Sequence, residues 1–153
     1  MISFANGDIF NYVQDGDIVL HQVNCKGVMG SGLALQIRKM FPDAYESYKS
    51  YCKENDYNCL GDVFLTRVKL HDISFTIGNC FGQESFGTRK VQTDYKALEQ
   101  CFKEIKLISH ANHRILITYY IGCGLGGGDW RIVSKMIEDI LGDCNVLFVK
   151  YNK

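Results

Sequence analysis

Twice in 153 residues an apolar run passes through a glycine-rich loop into a helical pattern, and nothing else in the chain restricts its possible folds so strongly. In the first instance, Ile18 to Phe41, Ile18-Val19-Leu20 and Val23 read as a buried strand. Gly27, Gly30 and Gly32 mark the loop, and Leu33, Ile37 and Met40 lie along one face of a helix. In the second, the strand Ile115 to Tyr120 enters a loop carrying Gly122, Gly124, Gly126, Gly127 and Gly128. The helix that follows carries Ile132, Val133, Met136, Ile137, Ile140 and Leu141. Such loops can turn backbone N–H groups outward, and each helix start adds unpaired donors with positive dipole character. An anion fits there.

Two familiar phosphate loops are excluded by spacing. Gly27, Gly30 and Gly32 give G-x-x-G-x-G, not the G-x-G-x-x-G of dinucleotide folds. Lys26 precedes its glycine and Val28 follows, so the Gly-Lys-Ser/Thr of nucleotide triphosphatases is missing. Two glycine loops at one sheet edge would instead form a crevice, holding a diphosphate by backbone N–H groups without arginine or metal. The charge balance agrees: 17 Lys and Arg offset 17 Asp and Glu, which excludes general nucleic-acid or membrane-surface binding. The seven cysteines are odd in number, scattered and never in a C-x-x-C pair, which argues against structural zinc and for a reduced compartment. With no basic, apolar leader at the N-terminus and no long apolar span, a cytoplasmic setting is expected, with no membrane partner. No metal or cofactor is implied.

The remaining segments complete an alternation. Met1 to Ala5 reads as a short strand, Asn6-Gly7 as a turn, and Asp8 as a helix N-cap. Pro42 suits the first turn of a helix with Tyr45, Tyr48 and Cys52 on one face. Val63 to Leu70 and Ile73 to Ile77 form an extended pair joined near His71-Asp72. Gly78 to Gln92 reads as a polar loop exposing Asn79, Gln83, Phe86 and Arg89. Thr93 or Asp94 starts a helix with Tyr95, Leu98, Phe102 and Ile105 inward, and Val146 to Val149 closes the chain as a strand. One domain over residues 1–153 is expected, an α/β fold arranged as a three-layer α/β/α sandwich with a mixed central sheet.

Cys123 stands between strand and helix, but Ile121 and Leu125 occupy the places where a nucleophile elbow needs glycine. A thiol phosphatase needs arginine six residues after its cysteine, where Cys123 has Asp129 and Cys25 has Ser31; packing thiols are expected. His110 and His113 lack a third ligand nearby and read as solvated. His21, three residues before Asn24, is either a core histidine with one hydrogen bond or a catalytic one. In an ideal strand these two point to opposite faces, so joint action needs a twist or bulge. Asp129 suits the N-cap of the last helix and is the reserve candidate for acid–base chemistry.

Taken together, the two loops and the segments around them resemble a macrodomain, an ADP-ribose-binding α/β/α sandwich, over nearly the whole length. Asn6-Gly7-Asp8-Ile9 looks like the family's Gly-Asp-Ile segment, which implies that Asp8 and Ile9 receive adenine. Val23-Asn24 and Gly30-Ser31-Gly32-Leu33 resemble the strand-end asparagine and loop that hold the distal ribose. Gly122-Cys123-Gly124-Leu125-Gly126 looks like the diphosphate loop, and Tyr151 matches a position that stacks on adenine in some members.

His21 to Cys25, Phe41 to Tyr48 and Gly78 to Gly87 look most like the ADP-ribose-1″-phosphate phosphatases and the deacylating ADP-ribosyl hydrolases. The covalent hydrolases use a lysine after the Phe75 to Ile77 strand and an aspartate after Gly-Cys-Gly-Leu; here Asn79 to Gln83 lack lysine and Gly126 replaces the aspartate. The resemblance thus implies a phosphatase acting on ADP-ribose-1″-phosphate, with Asn24 orienting the ribose and His21 as acid or base. A hydrolase acting on an ADP-ribosylated macromolecule, and an ADP-ribose-binding module without turnover, stay open beside it.

Overall fold

The computed structural model describes residues 2–109 and 113–151, so His110 lies outside the described residues. The strands are β1 (Ile2–Asn6), β2 (Ile18–Asn24), β3 (Val63–Leu70), β4 (Ile73–Gln83), β5 (Arg114–Thr118) and β6 (Asn145–Lys150). The helices are α1 (Gly32–Met40), α2 (Pro42–Glu54), α3 (Tyr95–Ile108) and α4 (Trp130–Leu141), with a 3-10 turn at Ile9–Asn11. Local chemistry sets the boundaries. Pro42 breaks α1 from α2 and opens the latter at its first turn. Asp94 caps α3 by accepting from Ala97 N at 3.0 Å, and Asp129 caps α4 by accepting from Arg131 N at 2.9 Å. Among the described residues no helix is long and apolar enough to cross a membrane.

The sheet order is β1-β6-β5-β2-β4-β3, with every neighbouring pair parallel except β3–β4. Alternation divides the core in two. Val19, Val23, Phe75, Ile77, Phe81 and Leu116 face α1 and α2 through Ile37, Tyr48 and Cys52. Ile18, Leu20, Ile115, Ile117 and Phe148 face α3 and α4 through Leu98, Phe102, Val133 and Ile137. This is the expected three-layer sandwich with a mixed sheet. Arg114 meets the buried Asp17 carboxylate with two nitrogens, at 2.8 and 3.3 Å, tying the start of β5 to the entry of β2.

Two expectations are corrected. The stretch after Ile77 is no loop until Gln83: β4 continues through Gly78 and Gly82, and Asn79 is buried. Both glycines are required by close packing, since a Cβ on Gly78 would lie 2.6 Å from Leu20 Cδ2 and one on Gly82 would collide with Gln22. β5 stops at Thr118, because Ile121 N turns back to Thr118 O at 3.1 Å and Tyr120 adopts φ 72°, a left-handed conformation incompatible with the strand. Along α4, which runs as expected, the buried face is Val133, Ile137 and Leu141, and Ile132 is exposed.

Candidate functional site

β2 and β5 are parallel neighbours, yet β2 leads into α1 on one face of the sheet and β5 into α4 on the other. Their C-terminal loops therefore diverge and leave a crevice between them. One lobe, about 470 Å³, is lined by Asn24, Gly30, Ser31, Gly32 and Leu33 of the first loop and Gly122, Gly124, Leu125 and Gly126 of the second. Phe86, Gly87 and Thr88 form its outer wall. A second lobe, about 450 Å³, is lined by Asp8, Ile9, Gln36, Val149 and Tyr151. Gly32, Leu33 and Thr118 belong to both, so the two lobes form one elongated groove.

Backbone donors converge where the lobes meet. In the second loop the carbonyls are bound from behind: Gly122 O accepts from Gly128 N at 2.9 Å and Gly126 O accepts from Gln92 N at 2.8 Å. The N–H groups of Gly122, Gly124, Leu125 and Gly126 have no acceptor among the described residues. Opposite them, α1 starts with Ser31 at its N-cap, whose side chain makes no capping bond, and its first internal bond is Leu35 N to Ser31 O. The first-turn N–H groups of Gly32, Leu33 and Ala34 are thus free as well. Two rows of unpaired donors facing one groove make a site for a phosphate or diphosphate. Among the described residues no Asp, Glu, Lys or Arg lines the larger lobe, and His21 and Tyr120 are its titratable side chains.

Asn24 is the knot of the first loop. Its Oδ1 accepts from Lys26 N at 2.9 Å and from Tyr48 Oη at 3.0 Å, while Nδ2 donates to Val28 O at 2.8 Å. One Nδ2 hydrogen remains for a ligand. Tyr48 Oη also donates to Asn24 O at 2.6 Å, which fixes the strand end on α2. The pairing of β2 with β4 shifts register between Gln22 and Asn24, the irregularity that joint action of residues 21 and 24 requires. His21 alternates with Val19 and Val23 toward the α1–α2 layer, and Asn24 reaches that same layer at Tyr48.

His21 is buried, and its Nε2 lies 2.7 Å from Asn79 Oδ1. Asn79 Nδ2 donates to Phe64 O at 2.9 Å, so the amide must present its oxygen to the imidazole. His21 Nε2 therefore carries the proton and Nδ1 a bare lone pair, which finds no partner. Burial lowers the imidazole pKa to about 4 against the partial support of Asn79, so the ring is neutral throughout the physiological range.

In the second lobe Asp8 accepts from Phe10 N at 2.9 Å and from Gln36 Nε2 at 2.8 Å, a carboxylate with remaining acceptor capacity beside the exposed Tyr151 ring. Cys123 and Asp129 are not brought into the groove. Burial, with the Asp129 carboxylate, pushes the Cys123 thiol up to about 11, and the residue packs against the α3–α4 core. Asp129 faces the hollow between α3 and α4, paired at 2.9 Å with Arg131, whose guanidinium holds the carboxyl below its ordinary range. Sequence reasoning missed Thr118, Gln36 and Gln22. Only Gln22 carried a signal, a long polar side chain inside an otherwise apolar strand.

Comparison with known proteins places this geometry. An ADP-ribose 1″-phosphate phosphatase of Candida albicans is 35% identical over 159 residues, covering 91% of this chain and 93% of that protein. A DNA ADP-ribosyl glycohydrolase of Mycobacterium bovis is 28% identical over 141 residues, covering 90% of this chain; the chain spans only 38% of that longer relative. Among solved structures, a protein of unknown function from Bacteroides thetaiotaomicron superposes with a TM-score of 0.84 at 25% identity, covering 98% of each chain. The Macro domain family model matches residues 20–137, from the core of β2 through α4, and with it the chain belongs to the Macro domain family.

Proposed function

We propose that the chain binds ADP-ribose along the groove, with adenine at Asp8 and Tyr151 and the distal ribose at Asn24, and that it hydrolyses the phosphomonoester of ADP-ribose-1″-phosphate. The observation that carries this reading is the double row of free N–H groups, those of Gly32, Leu33 and Ala34 facing those of Gly122, Gly124, Leu125 and Gly126, where an acidic lobe meets one without ionised side chains among the described residues. A diphosphate between two sugars has that distribution of charge. The name of the Candida relative supports the substrate class.

In the reaction, water attacks phosphorus as the P–O1″ bond breaks. The bonding pair goes to O1″, which takes up the proton that the attacking water gives up, so that ADP-ribose and hydrogen phosphate leave with atoms and charge balanced. His21 Nδ1, an unpartnered acceptor closed to solvent in the ligand-free chain, would accept a hydrogen bond from the attacking water once bound substrate opens the strand end to it; with a pKa near 4 the ring orients more than it deprotonates. Backbone N–H groups and the second Asn24 Nδ2 hydrogen stabilise the charge that builds on the equatorial oxygens and hold the ribose in line.

Calorimetry with ADP-ribose followed by phosphate release from ADP-ribose-1″-phosphate tests both halves. We expect 1:1 binding and a loss of at least roughly tenfold in turnover for His21→Ala, about 1.4 kcal/mol in the barrier. Absence of binding by the wild-type protein overturns the ligand assignment; undiminished turnover in His21→Ala leaves substrate-assisted attack. The second reading, release of ADP-ribose from modified DNA, is favoured by the name of the mycobacterial relative, although among the described residues no lysine lines either lobe. Release from an ADP-ribosylated oligonucleotide without phosphate production would select it.

A further inference from the structure

Gln22 is a partly buried amide in β2 whose position the phosphatase chemistry does not use. Its Nε2 donates to Gln83 Oε1 at 2.8 Å and to Thr93 Oγ1 at 2.9 Å. Thr93 Oγ1 in turn donates to Gly122 O at 2.5 Å, and Gln83 Nε2 donates to Ser85 O at 2.6 Å. Carbonyl oxygens only accept, so every hydrogen in this chain of bonds has one possible direction. The chain runs from the segment preceding Phe86, through β2, to the Gly122 carbonyl, which fixes the second loop from behind.

The glycines around it are shaped to this amide. A Cβ on Gly122 would lie 2.9 Å from Gln22 Oε1, and one on Gly126 would lie 2.6 Å from Thr93 Oγ1 and 3.0 Å from Gln22 Nε2. Gly124 has nothing within 4 Å. Gly122 and Gly126 therefore admit the Gln22–Thr93 pair behind the loop, and Gly124 alone is left open toward a ligand. Gln22 Oε1 is buried without a partner, an arrangement costly to keep for packing alone.

We infer that Gln22 and Thr93 are positioning residues that hold the second glycine loop with its N–H groups aimed at a diphosphate. This rests on the reading of the groove as an ADP-ribose site. Thr93 does not line the larger lobe; Gln22 does, and in this role it acts through the loop behind it. The pair sets the direction of the Gly122 peptide and couples it to the wall carrying Phe86, so that both sides of the larger lobe share one reference point.

The test is Thr93→Val, which keeps shape and removes the hydroxyl, against Thr93→Ser, which keeps the hydroxyl. Thr93→Val should weaken ADP-ribose by roughly tenfold or more at nearly unchanged urea midpoint, and Thr93→Ser should restore most of that loss. In the ligand-free protein, hydrogen exchange at the Gly128 amide, which donates to the same Gly122 carbonyl, should accelerate in Thr93→Val and not in Thr93→Ser. Equal affinity for both variants, or equal exchange at Gly128, overturns the inference. The exchange measurement decides it even if wild-type protein does not bind ADP-ribose, an outcome that removes the ligand assignment instead. Gln22→Leu, which deletes the donor to Thr93, should reproduce the Thr93→Val pattern; wild-type behaviour would exclude Gln22 from the role.

Discussion

Lowering the pH should destabilise this protein through one buried imidazole. His21 has its pKa lowered from 6.5 to about 4 by burial, so between those values the unfolded chain binds a proton that the native state refuses. Protons then favour unfolding: the effect is absent above the unfolded pKa, grows as pH falls from 6.5, and saturates near 4, where the native ring also charges. The window is worth about 3 kcal/mol, taking 1.36 kcal/mol per pKa unit. Urea unfolding at intervals from pH 7.5 to 4 would measure it, with His21→Gln as reference because its amide can still donate to Asn79 and never titrates. Carboxylates and the other histidines are common to both proteins and cancel in the difference. The expected result is a constant gap between the two proteins above pH 7 that shifts against the wild type by about 3 kcal/mol toward pH 4. A gap that stays flat to pH 4 would refute the reasoning, because it would mean that the native imidazole accepts its proton at an ordinary pH.

Three further outcomes follow from the same geometry. Asn24→Ala removes the partner of Lys26 N and Val28 O and should cost about 1 to 3 kcal/mol of stability in urea. It should also weaken ADP-ribose more than ADP by calorimetry; equal losses would reverse the assigned polarity of the groove. Gly78→Ala forces a methyl against Leu20 and should destabilise by about 1 to 3 kcal/mol, and an unchanged urea midpoint would mean that β2 and β4 are looser than described. A Cβ on Gly124 has no atom within 4 Å apart from its chain neighbours, which leaves room for Gly124→Leu. That substitution should leave the melting temperature in place and abolish ADP-ribose binding, so retained affinity would move the diphosphate elsewhere.

The two glycine loops were legible because each pairs a local signal, glycine density, with the apolar runs on either side. Pro42, and the pair Thr93-Asp94, marked helix starts for equally local reasons. Legibility failed where the reason for a residue lies far along the chain. Gly78 and Gly82 looked like loop glycines because what they accommodate, Leu20 and Gln22, is about sixty residues away in sequence. Asn79 looked exposed because its partners, His21 and the Phe64 carbonyl, come from two other strands. Asp129 had the right neighbours in sequence for the groove, yet capping α4 turns its carboxylate toward Arg131 and the α3–α4 hollow.

The donors that line the groove belong to the main chain, and a point mutation has no means of erasing a peptide N–H except by proline. What evolution can change is the scaffold that aims those donors. A lineage can therefore replace most of its side chains and keep the same anion seat, provided that small residues persist where bulk would tilt the loop. Sequence identities of 28% and 35% to the Mycobacterium and Candida relatives fit such drift. The positions expected to resist it are the ones that steer the backbone from behind, which are the last places a search for ligand contacts would look.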